Sequence, residues 1–288
     1  MKWTTLVSCE QLAAELGNPG LKIVDARFVL AGANAEAGER SWREQRLPGA
    51  GYVHLNRDLS DLRKPAAEGR HPLPDAQDFC RTLTRLGISP DDQVVVYDSS
   101  DGSMAASRFW WLLKLLGHDR VAVLDGGFTR WQALGYPLET GEPRAAVMSG
   151  DFPFRQFDPV QIIGDDQVEA RLQEPPGWLL DARSAERFRG EAEPIDPVAG
   201  HIPGAVNRPL SANTRDGRFR PAEELRAELS ALIGSRLPSE IFLSCGSGVT
   251  ACHNLLAMEH AGLHGARVYA GSWSGWISDA KRPVATGD

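Results

Sequence analysis

The sequence is poor in cysteine, in cationic excess and in long apolar runs, and each shortage removes a class of protein. Four cysteines in 288 residues, Cys9, Cys80, Cys245 and Cys252, do not make a disulfide scaffold; reduced thiols are expected, and with them a cytoplasmic location. Lys and Arg number 31 against 38 Asp and Glu, and the net charge of -7 argues against a general nucleic-acid or anionic-membrane surface. A local basic pocket is still allowed. No apolar run approaches membrane-spanning length, and Met1-Lys2-Trp3-Thr4-Thr5 leads into no apolar core of a secretion signal. Ser8 with Gln11 three residues on reads instead as a helix cap. There is no cluster with metal-ligand spacing and no phosphate-loop pattern, so no metal or nucleotide cofactor is implied. With 42% hydrophobic and 24% charged residues the chain is globular, and its length suits two domains. A monomer is the default expectation.

The most informative stretch that is present is Cys245-Gly246-Ser247-Gly248-Val249-Thr250. It follows a short apolar run, Ile241-Phe242-Leu243-Ser244, and opens a helical pattern. The two glycines let the loop curl, so that successive N–H groups converge on one point. The N-terminal end of the following helix adds positive potential there. Both effects favour a sulfur anion over a thiol and predict a nucleophilic Cys245. A buried structural cysteine is the commoner fate of this residue type, but a Gly-rich strand–helix junction argues against it.

The chain is also written twice. Ile23-Val24-Asp25-Ala26-Arg27 recurs as Leu179-Leu180-Asp181-Ala182-Arg183, and Leu47-Pro48-Gly49-Ala50 as Ile202-Pro203-Gly204-Ala205. Arg57-Asp58-Leu59-Ser60 answers Arg208-Pro209-Leu210-Ser211, and Val94-Val95-Val96-Tyr97 answers the strand before Cys245. Gly126-Gly127-Phe128-Thr129-Arg130-Trp131 answers Gly271-Ser272-Trp273-Ser274-Gly275-Trp276. Each copy alternates short apolar strands with amphipathic helices, which predicts an α/β domain with a mostly parallel central sheet flanked by helices. Met104, Phe109, Leu112, Leu113 and Leu116 form one apolar helix face, ended by Gly117; Val249, Cys252, Leu256 and Met258 form the other, ended by Gly262. The expected domains are 1–140 and 159–288, with a linker at 141–158. Where the second copy has Cys245 the first has Asp98, in the loop Asp98-Ser99-Ser100-Asp101-Gly102-Ser103. A carboxylate is no sulfur nucleophile and repels anions, so the first domain is expected to be catalytically inactive and to wall one side of a ligand site.

Taken together, the two Asp-Ala-Arg strings, His201-Ile202-Pro203-Gly204-Ala205, the Cys245–Thr250 loop and Gly271-Ser272-Trp273 resemble the rhodanese superfamily. Over essentially the whole chain the resemblance is to two-domain sulfurtransferases with an inactive first domain. The loop is similar to that of 3-mercaptopyruvate sulfurtransferases; animal-type thiosulfate sulfurtransferases carry basic residues just after the cysteine, which suit a compact dianion. The resemblance implies a two-step transfer through a Cys245 persulfide. Loop N–H groups from Gly246 through Gly248, Val249 and Thr250 would stabilise the sulfur anions. Ser247 would pass a proton to the departing pyruvate enolate. It also implies Arg187 as carboxylate ligand and His71, in His71-Pro72-Leu73-Pro74, facing the site. The acceptor is a thiol, cyanide or a thioredoxin-like protein. Two positions depart from the pattern. Ile195 stands after Glu193-Pro194 where a second arginine is usual, leaving open whether Arg189 replaces it, and His54 stands for an aspartate.

Rival readings carry less. Phosphatases of a related fold need arginine six positions after the cysteine, where this chain has Ala251. A non-catalytic binding module fits the first copy, which lacks the cysteine, and thiosulfate remains the alternative donor. Asp181, Arg183 and His201 read as structural, Cys9, Cys80 and Cys252 as helix positions, and Trp131, Trp273 and Trp276 as packing against the sheet. Incubation with a sulfur donor is expected to add the mass of one sulfur atom to Cys245, seen by mass spectrometry. Cys245→Ser should abolish both adduct and turnover; an active Cys245→Ser enzyme would refute the nucleophile.

Overall fold

The structure is a computed structural model and describes residues 2–29, 36–142 and 152–288. Of the expected linker, 143–151 lie outside the described residues. The chain forms two compact units. One comprises Met1–Asp61, Pro74–Asp158 and Asp216–Phe219; the other comprises Leu62–Leu73, Pro159–Arg215 and Arg220–Asp288. Two short segments, 62–73 and 216–219, thus leave the sequence-adjacent unit and join the other. Among the described residues no helix is long and apolar enough to cross a membrane.

Each unit is built on a five-stranded sheet. In the first, β1 (Leu6–Val7), β2 (Leu21–Asp25), β3 (Gly51–Tyr52), β4 (Gln93–Tyr97) and β5 (Val121–Leu124) lie in the order β1-β5-β4-β2-β3, every pairing parallel. In the second, β6 (Ile162–Ile163), β7 (Leu179–Asp181), β8 (Ala205–Asn207), β9 (Phe242–Ser244) and β10 (Arg267–Tyr269) repeat that arrangement as β6-β10-β9-β7-β8, again all parallel. The duplicated strings therefore fall on equivalent strands. β9 lies between β7 and β10, where the strand order reverses, so the loop leaving its C-terminal end sits at the usual ligand position of an open α/β sheet.

The helices follow the sequence signals, with one difference. In the first unit α1 (Cys9–Ala14) starts with the expected capping box, Ser8 Oγ accepting the Gln11 N–H at 3.2 Å and Gln11 Oε1 accepting the Ser8 N–H at 3.0 Å. It is followed by α2 (Ala105–Leu115) and α3 (Gly127–Ala133); the second unit holds α4 (Ala185–Arg189), α5 (Ala251–His260) and α6 (Ser272–Trp276). Gly117 and Gly262 follow the ends of α2 and α5 as the sequence indicates. These two helices are not one-faced, however. Ala251 through Met258 are all buried, because α5 has the sheet on one side and helix Ala222–Ile233 on the other. A helix enclosed in this way is apolar around most of its circumference, and periodicity no longer marks its face.

One device recurs in both units. Asp181 accepts from Arg183 Nε at 3.1 Å and Nη2 at 2.7 Å, and the guanidinium lies 4.8 Å over the ring of Trp273. In the first unit Arg27 Nη2 reaches Asp25 at 2.7 Å and the guanidinium lies 4.1 Å over Phe128. The pair ties the end of a central strand to the first turn of the helix that follows the last strand of the same sheet, and both charges are buried and matched. Its presence beside Asp98 as well as beside Cys245 marks it as scaffold. Trp131, Trp273 and Trp276 are buried and each donates its indole N–H to a backbone carbonyl at 2.9 Å, as the packing role requires.

In the first unit the loop after β4 is filled by its own side chain. Asp98 accepts N–H groups from Gly102 at 2.9 Å and from Ser100 and Met104 at 3.2 Å. Burial, with Asp101 adding repulsion, nevertheless pushes its carboxyl up to about 6. A raised native value means that the folded state prefers the protonated form. The stabilising contribution is complete below about pH 4 and is lost as the pH rises through about 6. Across that interval the wild type is expected to lose up to about 3 kcal/mol relative to Asp98→Asn. Urea unfolding of both proteins from pH 4 to 8 checks this; a constant difference would contradict it.

Candidate active site

The loop from Cys245 to Thr250 joins β9 to α5 and closes over its own sulfur. The N–H groups of Gly248 and Ser247 donate to Cys245 Sγ at 3.1 and 3.4 Å, and the side chain is 1% exposed. Gly248 makes this turn possible. Its φ is +73°, and a Cβ there would lie 2.3 Å from the Ala270 carbonyl oxygen, so both conformation and space call for glycine. The loop is held to α6 by N–H bonds from Trp273 to the Cys245 carbonyl at 3.0 Å and from Ser274 to the Gly246 carbonyl at 2.9 Å. Val249 turns into the core, and Thr250 precedes the first turn of α5. Ala251, where a phosphatase needs arginine, is buried.

Ser272 is a site residue that sequence reasoning did not single out. Its φ is +51° although it is not glycine, a conformation that costs energy and gathers at functional sites. The buried hydroxyl accepts the Cys245 N–H at 3.1 Å, donates to the Tyr269 carbonyl at 2.9 Å and lies 4.0 Å from Sγ. The equivalent of Ser272 in the first unit is Gly127, with φ +54° and no room for a Cβ beside the Asp98 and Ser100 carbonyls. The signal was the substitution of serine for glycine within the repeated Gly-Gly-Phe and Gly-Ser-Trp strings.

Ser247 and His71 come together although far apart in sequence: His71 Nδ1 is 2.8 Å from Ser247 Oγ, and both are buried. His71 lies in the segment Leu62–Leu73, which belongs to the same unit as the loop. Arg187, on α4, also reaches the loop. A Cβ on Gly246 would lie 3.5 and 3.7 Å from its Nη2 and Nη1. Its guanidinium is gripped by Glu193 at 2.7 to 3.1 Å and by Asp196 at 3.2 Å. Arg70 is a further cation there, its Nη2 being 3.2 Å from the same Cβ position, and Nη1 binds Asp196. Burial pushes Glu193 up, but its bonds from Arg187 and from the N–H groups of Asp196 and Ile195 hold it below the usual carboxylate range. For Asp196 burial prevails over the Arg70 charge and the value is raised.

The remaining named residues lie elsewhere. Ile195 offers only its backbone, with the side chain 43% exposed. Arg189 pairs with Glu191 at 2.7 Å on the exposed side. His54 is buried in the first unit, capping the short helix Leu55–Asp58. His201 stacks on Phe188 at 3.8 Å and contacts its carbonyl at 2.8 Å, a packing role. Cys252 is buried against the Gly248 carbonyl at 3.4 Å, and Cys9 and Cys80 are buried on helices. Among the described residues no group of side chains has the composition to hold a metal ion.

The profile of the rhodanese-like domain matches residues 8–134 and again 165–279. A Pseudomonas aeruginosa protein named as a probable 3-mercaptopyruvate sulfurtransferase is 47% identical over 100% of both chains. A Mycobacterium tuberculosis protein named provisionally as a thiosulfate sulfurtransferase is 38% identical over 98% of this chain and 97% of its own. The crystal structure of a 3-mercaptopyruvate sulfotransferase from Escherichia coli superposes with a TM-score of 0.79 at 31% identity, covering 94% of this chain and 99% of that one. The chain belongs to the rhodanese-like family, and within it to the two-domain sulfurtransferases.

The cradle can be tested at Gly248. Gly248→Ala is expected to cost about 1–3 kcal/mol of stability and to slow sulfur loading of Cys245 by about 100-fold or more. Gly217→Ala is the control, since Gly217 has the same φ of +73° but open space around it, and it should leave loading unchanged. Equal loading rates in the two variants would show that the turn does not hold the sulfur.

Proposed function

We propose that this sulfurtransferase takes its sulfur from 3-mercaptopyruvate and carries it as a persulfide on Cys245. The observation that carries the reading is the convergence on one loop of a sulfur held by two backbone N–H groups, a Ser247–His71 pair and the Arg187 guanidinium. Arg187 binds the donor carboxylate. The Cys245 thiolate attacks the donor sulfur, the carbon–sulfur bond breaks, and its electron pair goes to carbon as the pyruvate enolate. Ser247 delivers a proton to the enolate and His71 makes good the loss, the donor's own thiol proton balancing the step. Cys245 is left as a persulfide anion, stabilised by the Ser247 and Gly248 N–H groups. A thiol, cyanide or thioredoxin-like acceptor then takes the outer sulfur and returns the Cys245 thiolate. Four free cysteines suit a reducing, cytoplasmic setting, and a monomer suffices because every group named lies within one unit.

The 47% relative's name and the absence of a cation within the loop support mercaptopyruvate. The name of the 38% relative supports thiosulfate as second reading, with sulfite as leaving group and no enolate to protonate. That difference supplies the test. Steady-state kinetics should show kcat/KM for 3-mercaptopyruvate above that for thiosulfate. Ser247→Ala should cut turnover with mercaptopyruvate by about 100-fold, as loss of a proton donor does, and change the thiosulfate reaction far less. A large preference for thiosulfate, or equal losses with both donors, would overturn the assignment.

A further inference from the structure

The Ser247–His71 contact at 2.8 Å joins side chains 176 positions apart, and a proton passes between them only while two separate stretches of chain keep that spacing. One residue of α6 is bonded to both stretches. The Ser274 backbone N–H donates to the Gly246 carbonyl at 2.9 Å. That carbonyl and the Ser247 N–H, which points at Cys245 Sγ, are the two ends of one planar peptide. Ser274 Oγ accepts the backbone N–H of Arg70 at 2.9 Å, one residue before His71. Ser274 therefore holds the chain entering Ser247 with its main chain and the chain entering His71 with its hydroxyl.

The two repeats use this position differently. In the first unit Thr129 takes the place of Ser274, and its N–H makes the same bond, to the Ser99 carbonyl at 2.9 Å. Its hydroxyl donates to that same carbonyl at 2.7 Å. In the unit with the reactive cysteine the hydroxyl reaches a second segment instead. The seat beneath that segment is close. The turn Ala66–Glu68 ends at Gly69, where a Cβ would stand 2.5 Å from the Gly271 carbonyl oxygen, and a Cβ on Gly275 would stand 2.8 Å from that of Ala67. Such packing limits distance, and the directional Ser274 bond adds the register. The turn, His71, α6 and the reactive loop all belong to one unit.

We propose that Ser274 is a positioning residue for proton delivery, setting His71 against Ser247 through its hydroxyl. The inference rests on the Ser247–His71 proton transfer proposed above. It is tested by a double-mutant cycle of Ser274→Ala with His71→Ala, read as single-turnover sulfur loading of Cys245 from 3-mercaptopyruvate and from thiosulfate, and as discharge of preloaded persulfide to cyanide. His71→Ala should slow loading from mercaptopyruvate by about 100-fold. Ser274→Ala should slow it by about 10-fold in the wild-type background, and by less than about twofold where His71 is already gone. Loading from thiosulfate, which has no enolate to protonate, and discharge should each stay within about threefold. Ser274→Thr keeps the hydroxyl and Ser274→Val, of similar volume, does not, so the threonine variant alone should recover the loss. An unchanged loading rate in Ser274→Ala would overturn the role of Ser274. So would the same loss in both backgrounds, or equal losses in loading and discharge, which mean that the hydroxyl supports the loop itself. A His71→Ala enzyme that loads from mercaptopyruvate at the wild-type rate fails the proton transfer of the proposed function, and this inference with it.

Discussion

The left-handed turn at Gly248 is the constraint on which the site depends. Pressed against the Ala270 carbonyl, it bends the backbone so that two N–H groups face a sulfur and not solvent. Those groups lie in the loop that leads into α5, and their convergence on one point suits an anionic partner. The same close approach brings α6 under the loop, where Trp273 and Ser274 hold its carbonyls and Ser272 accepts the Cys245 N–H. The strain at Ser272 is part of this arrangement, with a hydroxyl supported where the other repeat has glycine.

The two repeats show that scaffold and chemistry separate. Both have the same strand order, the same Asp–Arg pair stacked on an aromatic ring and the same N–H bonds from the following helix to the loop carbonyls. They differ in what occupies the nest. Asp98 fills its own with a short carboxylate that takes three N–H groups, donors that are then taken from any outside anion. Cys245 takes two with a polarisable sulfur that can accept a second sulfur atom.

Charge in the unit that holds Cys245 is arranged by alternation. Arg70, Arg183 and Arg187 are interleaved with Asp181, Glu193 and Asp196. Such a network is neutral in sum, and mutual attraction and hydrogen bonds offset the desolvation of its charges. What remains available is directional: N–H edges already held in place, facing the loop. Cationic edges thus face one loop in a chain whose net charge is -7.

Local strings were enough to find the duplication, the Ser8 cap, the helix-ending Gly117 and Gly262, and the Cys245 loop. Each depends on residues within a few positions of one another, which is the range over which dihedral preference and hydrogen bonding are written directly in sequence. The enclosure of α5 was not legible, because a helix covered on opposite sides has no single apolar face to count. The exchange of residues 62–73 and 216–219 between units was not legible either, since no change of composition marks it.

Arg70, Ser272 and Asp196 were missed for the same reason. Arg70 and Asp196 are 126 positions apart, and His71 and Ser247 are 176 apart. The sequence by itself determined the α/β class and the repeat, and singled out Cys245 as the candidate nucleophile, because these readings rest on short-range backbone chemistry. Which arginines stand beside the sulfur, and that a serine takes a left-handed turn beneath it, only the tertiary structure decided. Those contacts arise from packing distant segments of chain onto one loop, and charge pairing there depends on distance in space.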